Sequence, residues 1–260
     1  PGLLVLAHGG SPQWNKTVED AVAQSKVTLP TEIAFGMGMH DHEVHELQDA
    51  VSRLEAQGIT RLIVVPLLVS SHSEVYRQYE YLFGLRHDAE WPEAGPPLEY
   101  HVPVTMTKAL DGDPAVVSEI LLERVRGLSR KPNKETVILI AHGPNEDADN
   151  ARWLATLQQA ADYLQQQGGF LRVMPFTIRD DASEAIRAQA REALREAVQR
   201  ESRERRVLIV PVLIAQGGIE HKIPQLLKGL SYQFKGKTLL PHPKIAQWIS
   251  TQALELANVD

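Results

Sequence analysis

Two stretches of the chain nearly repeat each other: LLVLAHGGSP at residues 3–12 and VILIAHGPNE at residues 137–146. Each is an aliphatic run closed by Ala-His-Gly. Such a repeat constrains the fold more than composition does, because a duplicated order of elements implies a duplicated architecture. The order after each copy agrees. In the first half, helical patterns at 16–25 and 44–57 alternate with the strand-like runs 32–39 and 61–72. In the second, helical patterns at 151–166 and 182–201 alternate with 170–178 and 205–216. A further strand-like piece (98–106, 236–242) and a closing helical pattern (114–125, 244–257) complete each half.

His8 aligns with His142 at an offset of 134, and Pro66 with Pro211 at 145, so the second copy is longer between these marks. The strand candidates are near-continuous Val/Ile/Leu runs, the pattern of parallel strands covered on both faces. Strands alternating with helices indicate βαβ units with right-handed crossovers. The predicted fold class is therefore α/β, two tandem four-stranded parallel sheets flanked by helices. The expected domains are 1–130, carrying the catalytic histidines, and 131–260, the repeat, with a linker near 128–135. Gly58 reads as a helix C-cap, and Asp113-Pro114 and His242-Pro243 as helix starts. Pro66 and Pro211 sit awkwardly inside strand patterns, where each removes a ladder donor.

Ligands of open parallel sheets bind beyond the strand carboxyl ends, where strand order reverses. In a flavodoxin-like order that crevice lies between the first and third strands. His8 closes the first and His72 the third, so this topology would bring both imidazoles to one crevice. The second half keeps His142 but reads Gln216-Gly217-Gly218 at the third position. The first half is thus the better candidate for the chemistry, and the second for substrate contacts. A lone histidine at a strand end is usually structural; recurrence at equivalent ends favours function.

Weaker candidates surround these. MHDHEVHE at 39–46 holds three histidines and three acids. His42 and Glu46 there are one helical turn apart, as a metal would need. The alternative is a polar helix start with Asp41 as N-cap. Glu74 and Glu220 follow the third strands as metal or proton carriers, or as solvated helix starts. Arg179 could clamp a carboxylate, or pair with Asp180 or Asp181; Arg77 and Lys222 are similar. The Arg/Glu-rich helix at 187–206 reads as a solvated face.

The chain has 260 residues and a net charge of −6, which argues against a general nucleic-acid binder. It has no cysteine, which excludes disulfides, thiolate metal sites and cysteine nucleophiles. No apolar run reaches the length of a membrane span, and the start PGLLVLAHGG has no basic region of a signal peptide. A soluble cytoplasmic protein is expected.

LLVLAHGGSP, GITRLIVVPLLVSSH and PHPKIAQWI together resemble the class II chelatases of modified tetrapyrroles, the sirohydrochlorin cobalto- and ferrochelatases in their two-domain form. The resemblance spans essentially the whole chain. It implies two flavodoxin-like halves facing each other across a cleft, and insertion of Fe2+ or Co2+ into sirohydrochlorin on the way to sirohaem or cobalamin. It implies that His8 and His72 bind metal and accept protons; Glu74 and His42 stay the weaker metal candidates of the residue reading. His142, Arg179, Arg77 and Lys222 would contact the polyanionic substrate. No cofactor is required, since the metal is a substrate. Neither nucleic acid nor membrane is an expected partner, and the duplication suits a monomer while leaving a homodimer open. Two departures stand out. Relatives often carry an Asp four residues after the second histidine, where this chain has Tyr76, with Lys222 at the matching place in the second half.

The chemistry suits imidazole. Metal insertion exchanges two pyrrole protons for one divalent ion, and a neutral imidazole can both hold a borderline metal loosely and take a proton. A closed four-ligand site would trap the ion. Two other readings compete. One is a tetrapyrrole or metal carrier without turnover. The other is a histidine phosphatase, whose Arg-His-Gly lacks its arginine here because Ala7 and Ala141 precede the histidines.

Overall fold

The structure, a computed structural model, describes residues 1–258. The chain runs β1 (Gly2–Ala7), α1 (Pro12–Ser25), β2 (Thr31–Phe35), α2 (Asp41–Ala56), β3 (Leu62–Pro66), α3 (Glu74–Leu82) and β4 (Val104–Met106). It continues with α4 (Pro114–Arg126), β5 (Glu135–Ala141), α5 (Asp147–Gly168), β6 (Arg172–Thr177) and α6 (Glu184–Ser202). β7 (Arg206–Val212), α7 (Ile219–Leu226), β8 (Gln233–Phe234) and α8 (Pro243–Ala257) complete it. The strands form two four-stranded parallel sheets, ordered β2-β1-β3-β4 and β6-β5-β7-β8. The same order twice places a switch point between β1 and β3, and another between β5 and β7.

The sheets explain the uninterrupted aliphatic runs. Side chains of successive strand residues point to opposite faces. Leu4, Leu6, Leu62 and Val64 pack with Leu47, Val51 and Leu54 of α2 and with Tyr79 and Leu82 of α3. The intervening Leu3, Val5, Ile63 and Val65 are equally buried and face the other way. That second face needs more cover than α1 alone provides, and α8 supplies it by packing on α1 and β3. In the same manner α4 packs on α5 and β7.

The compact units therefore differ from the halves expected from the repeat. One is Pro1–Gly112 joined by the segment from Pro241, and the other is Asp113–Leu240. The helix that follows β4 in sequence completes the second unit, and the last helix of the chain completes the first. Sequence order cannot reveal this, since α4 and α8 offer similar apolar faces. A second correction concerns 236–242, expected as a strand. The strand is Gln233–Phe234, while the buried Leu239 and Leu240 donate to the carbonyls of Leu213 and Ile214 at 2.9 and 2.8 Å, beyond the end of β7. A third is that β3 stops at Pro66, so His72 lies on a loop beyond the strand.

Pro66 has a physical account. The amide of Leu62 bonds to Pro103, and the carbonyl of Val64 receives Thr107 at 2.9 Å, so even-numbered residues of β3 face β4. An amide at position 66 would next reach the Thr107 carbonyl. Proline has none, and the Tyr76 hydroxyl donates to that carbonyl instead, at 3.0 Å. Burial pushes the Tyr76 hydroxyl up to about 12, helped by the charges of Glu80 and Asp111, so it stays a donor. The residue standing at the departure from the chelatase pattern thus repairs the sheet edge.

The helix expected as a purely solvated face also needs correction. Glu201 of α6 is 1% exposed. Its carboxylate accepts from the Thr136 hydroxyl at 2.9 Å, Arg172 at 2.8 Å and Arg205 at 2.9 Å. Burial alone raises this carboxyl, but the bonds from Thr136 and Arg205 and the charges of Arg172 and Arg205 outweigh it and hold it below its ordinary value.

Two outcomes follow for stability. Tyr76→Phe removes the hydroxyl that replaces the Pro66 donor and should cost about 1–2 kcal/mol in urea denaturation. Glu201→Gln should destabilise near neutral pH by about 1–3 kcal/mol. Because the folded carboxyl titrates below its unfolded value, its contribution is present above the unfolded pKa and lost as pH falls through the folded one. The gap between wild type and Glu201→Gln in thermal melts should accordingly close on acidification.

Candidate functional site

Ala-His-Gly is first a way of leaving the sheet. Ala7 and Ala141 are fully buried at the ends of β1 and β5. The glycines turn the chain through left-handed backbone, with φ of +82° at Gly9 and +78° at Gly143. A Cβ would meet Phe35 Cβ at 3.2 Å in the first copy and Thr177 Cβ at 2.5 Å in the second. Glycine is needed on both counts.

This turn folds the glycine carbonyl back onto the preceding imidazole. Nδ1 lies 2.8 Å from the carbonyl oxygen in both His8 and His142. A carbonyl only accepts, so Nδ1 carries the proton, and a neutral ring then bears its lone pair on Nε2. For a metal-binding histidine this is the usual orienting bond. His8 is exposed, and among the described residues nothing bonds its Nε2.

His72 sits on the loop between β3 and α3, fixed from one carboxylate. Asp111 accepts from the Ser70 hydroxyl at 3.2 Å, the Ser71 amide at 2.9 Å and the Ser71 hydroxyl at 2.7 Å. The Ser70 hydroxyl in turn accepts the amide of His72 at 3.1 Å. Ser73 caps α3 by accepting from Tyr76 at 3.3 Å. Both ends of the loop are thereby tied to the body of the unit. β1 and β3 are neighbours with Leu6 paired to Pro66, so His8 and the His72 loop leave the sheet at the same rim.

The second unit has the same turn and a different chemistry. Nε2 of His142 lies 3.2 Å from the Asp181 carboxylate. Burial lowers this imidazole, but the Asp181 hydrogen bond, the Gly143 carbonyl and the charges of Asp181 and Asp180 outweigh it, and the net direction is upward. Both ring nitrogens of His142, the histidine expected to contact substrate, face acceptors of its own unit. At the third position Gln216 donates to the Gly236 carbonyl at 2.7 Å. The loop is held by Glu220, 3% exposed, which accepts the amides of Gly217 at 2.7 Å and Gly218 at 3.1 Å. Glu220 is a helix-start carboxylate turned inward, not a solvated one.

The expected substrate cations all have acidic partners. Arg179 requires a correction. It is 7% exposed and has a φ of +51°. Its guanidinium donates to the Pro144 carbonyl at 3.0 Å, to Asp147 at 2.6 Å and to the Asn145 carbonyl. It clamps its own loops and has no fork left for a ligand carboxylate. Arg77 grips Glu90 with two bonds of 2.9 and 2.8 Å, and Lys222 pairs with Asp180.

In the 39–46 cluster the N-cap is His40, not Asp41, which opens the helix. Glu43 accepts the amides of Met39 and His40 at 2.9 and 3.2 Å. The rings of His40 and His42 stack 5.8 Å apart, and His45 Nδ1 bonds the Asp41 carbonyl at 2.8 Å. Glu74 lies in the first turn of α3. Among the described residues no three or more His, Asp or Glu side chains are arranged to hold a metal ion. No helix among the described residues is long and apolar enough to cross a membrane.

Sequence reading missed Asp111, and it offered Asp181 to Arg179, whose acidic partner is Asp147, while Asp181 bonds His142. Asp111 acts across 40 residues on Ser71, and Asp181 on a histidine of another loop. Neither contact has a sequence signal.

The model of the CbiX family matches the chain twice, at residues 2–128 and 136–256. Among solved structures, SirB from Bacillus subtilis with Fe3+ superposes with a TM-score of 0.70 at 18% identity, covering 99% of this chain and 95% of that one. DR2241 from Deinococcus radiodurans, described as a multi-domain protein with structural similarity to chelatases and two additional novel domains, gives 0.57 at 17% identity. It is covered over 54% of its length by 98% of this chain. No curated protein matches in sequence. With both copies of its repeat matched, the chain belongs to the CbiX family, the chelatase family that its paired histidine motifs resemble.

Proposed function

We propose that the protein is a sirohydrochlorin chelatase, which exchanges the two inner pyrrole protons of the macrocycle for one divalent metal, Fe2+ or Co2+. The observation that carries this reading is the exposed His8, whose Nδ1 is tied to the Gly9 carbonyl at 2.8 Å and whose Nε2 is left open. Family membership supports it, as does the likeness to the iron-containing SirB structure.

In this reading His8 Nε2 takes the ion from solution, and His72, carried on the Asp111-anchored loop, is the second ligand. As the ion passes to the macrocycle the imidazoles regain lone pairs and can accept the protons released. Two neutral ligands hold a borderline divalent ion without trapping it. The metal is a substrate, and no resident cofactor is assigned.

Anaerobic metallation of sirohydrochlorin, followed by absorbance with Fe2+ and with Co2+, tests the proposal. His8→Ala and His72→Ala should each lower the rate by at least about a hundredfold. Wild-type rates from both variants would refute it, and stoichiometric pigment binding without metallation would favour a carrier. Asp111→Ala should lower stability by about 1.5–3 kcal/mol. It should also raise the metal concentration needed for half-maximal rate, since it releases the His72 loop while leaving the His8 turn intact.

A further inference from the structure

The two copies share Ala-His-Gly, its left-handed glycine and the 2.8 Å bond to Nδ1, yet their rings differ at Nε2. In His8 that atom is open. In His142 it faces Asp181 at 3.2 Å. A carbonyl and a carboxylate only accept, so His142 satisfies both contacts only when both nitrogens carry protons. We infer that Asp181 adds a second inequality to the missing third-position histidine, holding His142 as a doubly donating imidazolium and so disfavouring divalent metal at its Nε2. The metal half of this inference rests on the chelatase reading; the charge on the ring does not.

The register shows where the difference arises. Ala7 pairs with Phe35 and Ala141 with Thr177, so these are matching positions. Four residues on, the second copy has Asp181 and the first has Met39, which carries no charge. Acids on the same loop and on α5 and α7 have other partners. Asp180, from the same loop, is bound by Lys222 of α7, and Asp147 of α5 is bound by Arg179. Glu220 of α7 is turned onto the Gly217 and Gly218 amides, with His221 at 3.2 Å. Asp181 is the acid in contact with the ring. A metal competing for Nε2 must first displace a proton held by this carboxylate, and each pH unit of such competition costs about tenfold in apparent affinity.

Proton–nitrogen correlation spectra of the full-length protein, with His142→Gln to assign the signal, test this directly. In wild type His142 should show both nitrogens protonated near neutral pH. In Asp181→Asn, which keeps a neutral acceptor, and in Asp181→Ala its titration should move down. Co2+ added stepwise should broaden His8 and His72 at concentrations at least about tenfold lower than His142. In Asp181→Ala that separation should shrink to a few-fold. Asp181 is 70% exposed, so neither substitution threatens the core. A neutral His142 in wild type, an unmoved titration in Asp181→Ala, or equal broadening of His8 and His142 in wild type would each overturn the inference. If Co2+ leaves His8 and His72 untouched, the chelatase reading fails instead. The titration then decides the charge lock alone.

Discussion

A parallel sheet buried on both faces leaves polar chemistry one outlet, the rim where its strands end. Everything functional here follows from that constraint. The aliphatic runs of β1, β3, β5 and β7 admit no side chain that could reach water, so a ligand-binding imidazole has to sit after the last strand residue. The Ala-His-Gly turn meets this condition. Alanine closes the buried strand, glycine takes the left-handed turn against Phe35 or Thr177, and histidine stands between them with Nδ1 fixed. The ring's orientation is thus set by backbone, which costs no additional side chain and resists drift.

The same burial explains the exchange of helices. A four-stranded sheet with two covered faces needs a second helix beside α1 and another beside α5. α8 and α4 fill those places, each on the unit that its own half does not build. Neither repeat therefore closes its core from its own contiguous sequence. One consequence reaches the site. The segment carrying Asp111, which anchors the His72 loop, runs directly into Asp113-Pro114, where the chain passes to the second unit. The anchor thus stands at the end of the first unit's leading segment, just before the chain departs.

Much of this was legible in the sequence. Duplication, strand type, helix periodicity and the rim position of His8 and His142 all follow from short-range pattern, where each residue's neighbours decide its state. The limits are equally physical. The strand expected at 236–242 failed because Leu239 and Leu240 are buried by extending past β7, and burial looks the same in sequence whether or not a ladder forms. Glu201 sits in a helix whose composition reads as solvated, and bonds from Thr136 of β5, Arg172 of β6 and Arg205 just past the helix make its burial tolerable. Arg179 was expected to face a ligand because a fork at a strand end is well placed for one. The left-handed backbone at that residue turns it inward instead, onto Pro144, Asn145 and Asp147.

The deepest ambiguity lay in the motif itself. Ala-His-Gly at 141–143 reads as a second copy of the motif at His8, and its backbone geometry is indeed a copy. Yet the turn demands only the alanine and the glycine, and it presents the same orienting carbonyl to whatever the imidazole is used for. The role of the ring is decided at Nε2, by a residue on a different loop. Where that residue is Met39 in register, the lone pair stays open; where it is Asp181, a proton occupies it. A repeated motif is therefore evidence for a repeated turn, and the chemistry of each copy has to be read from the atom that the motif leaves uncommitted.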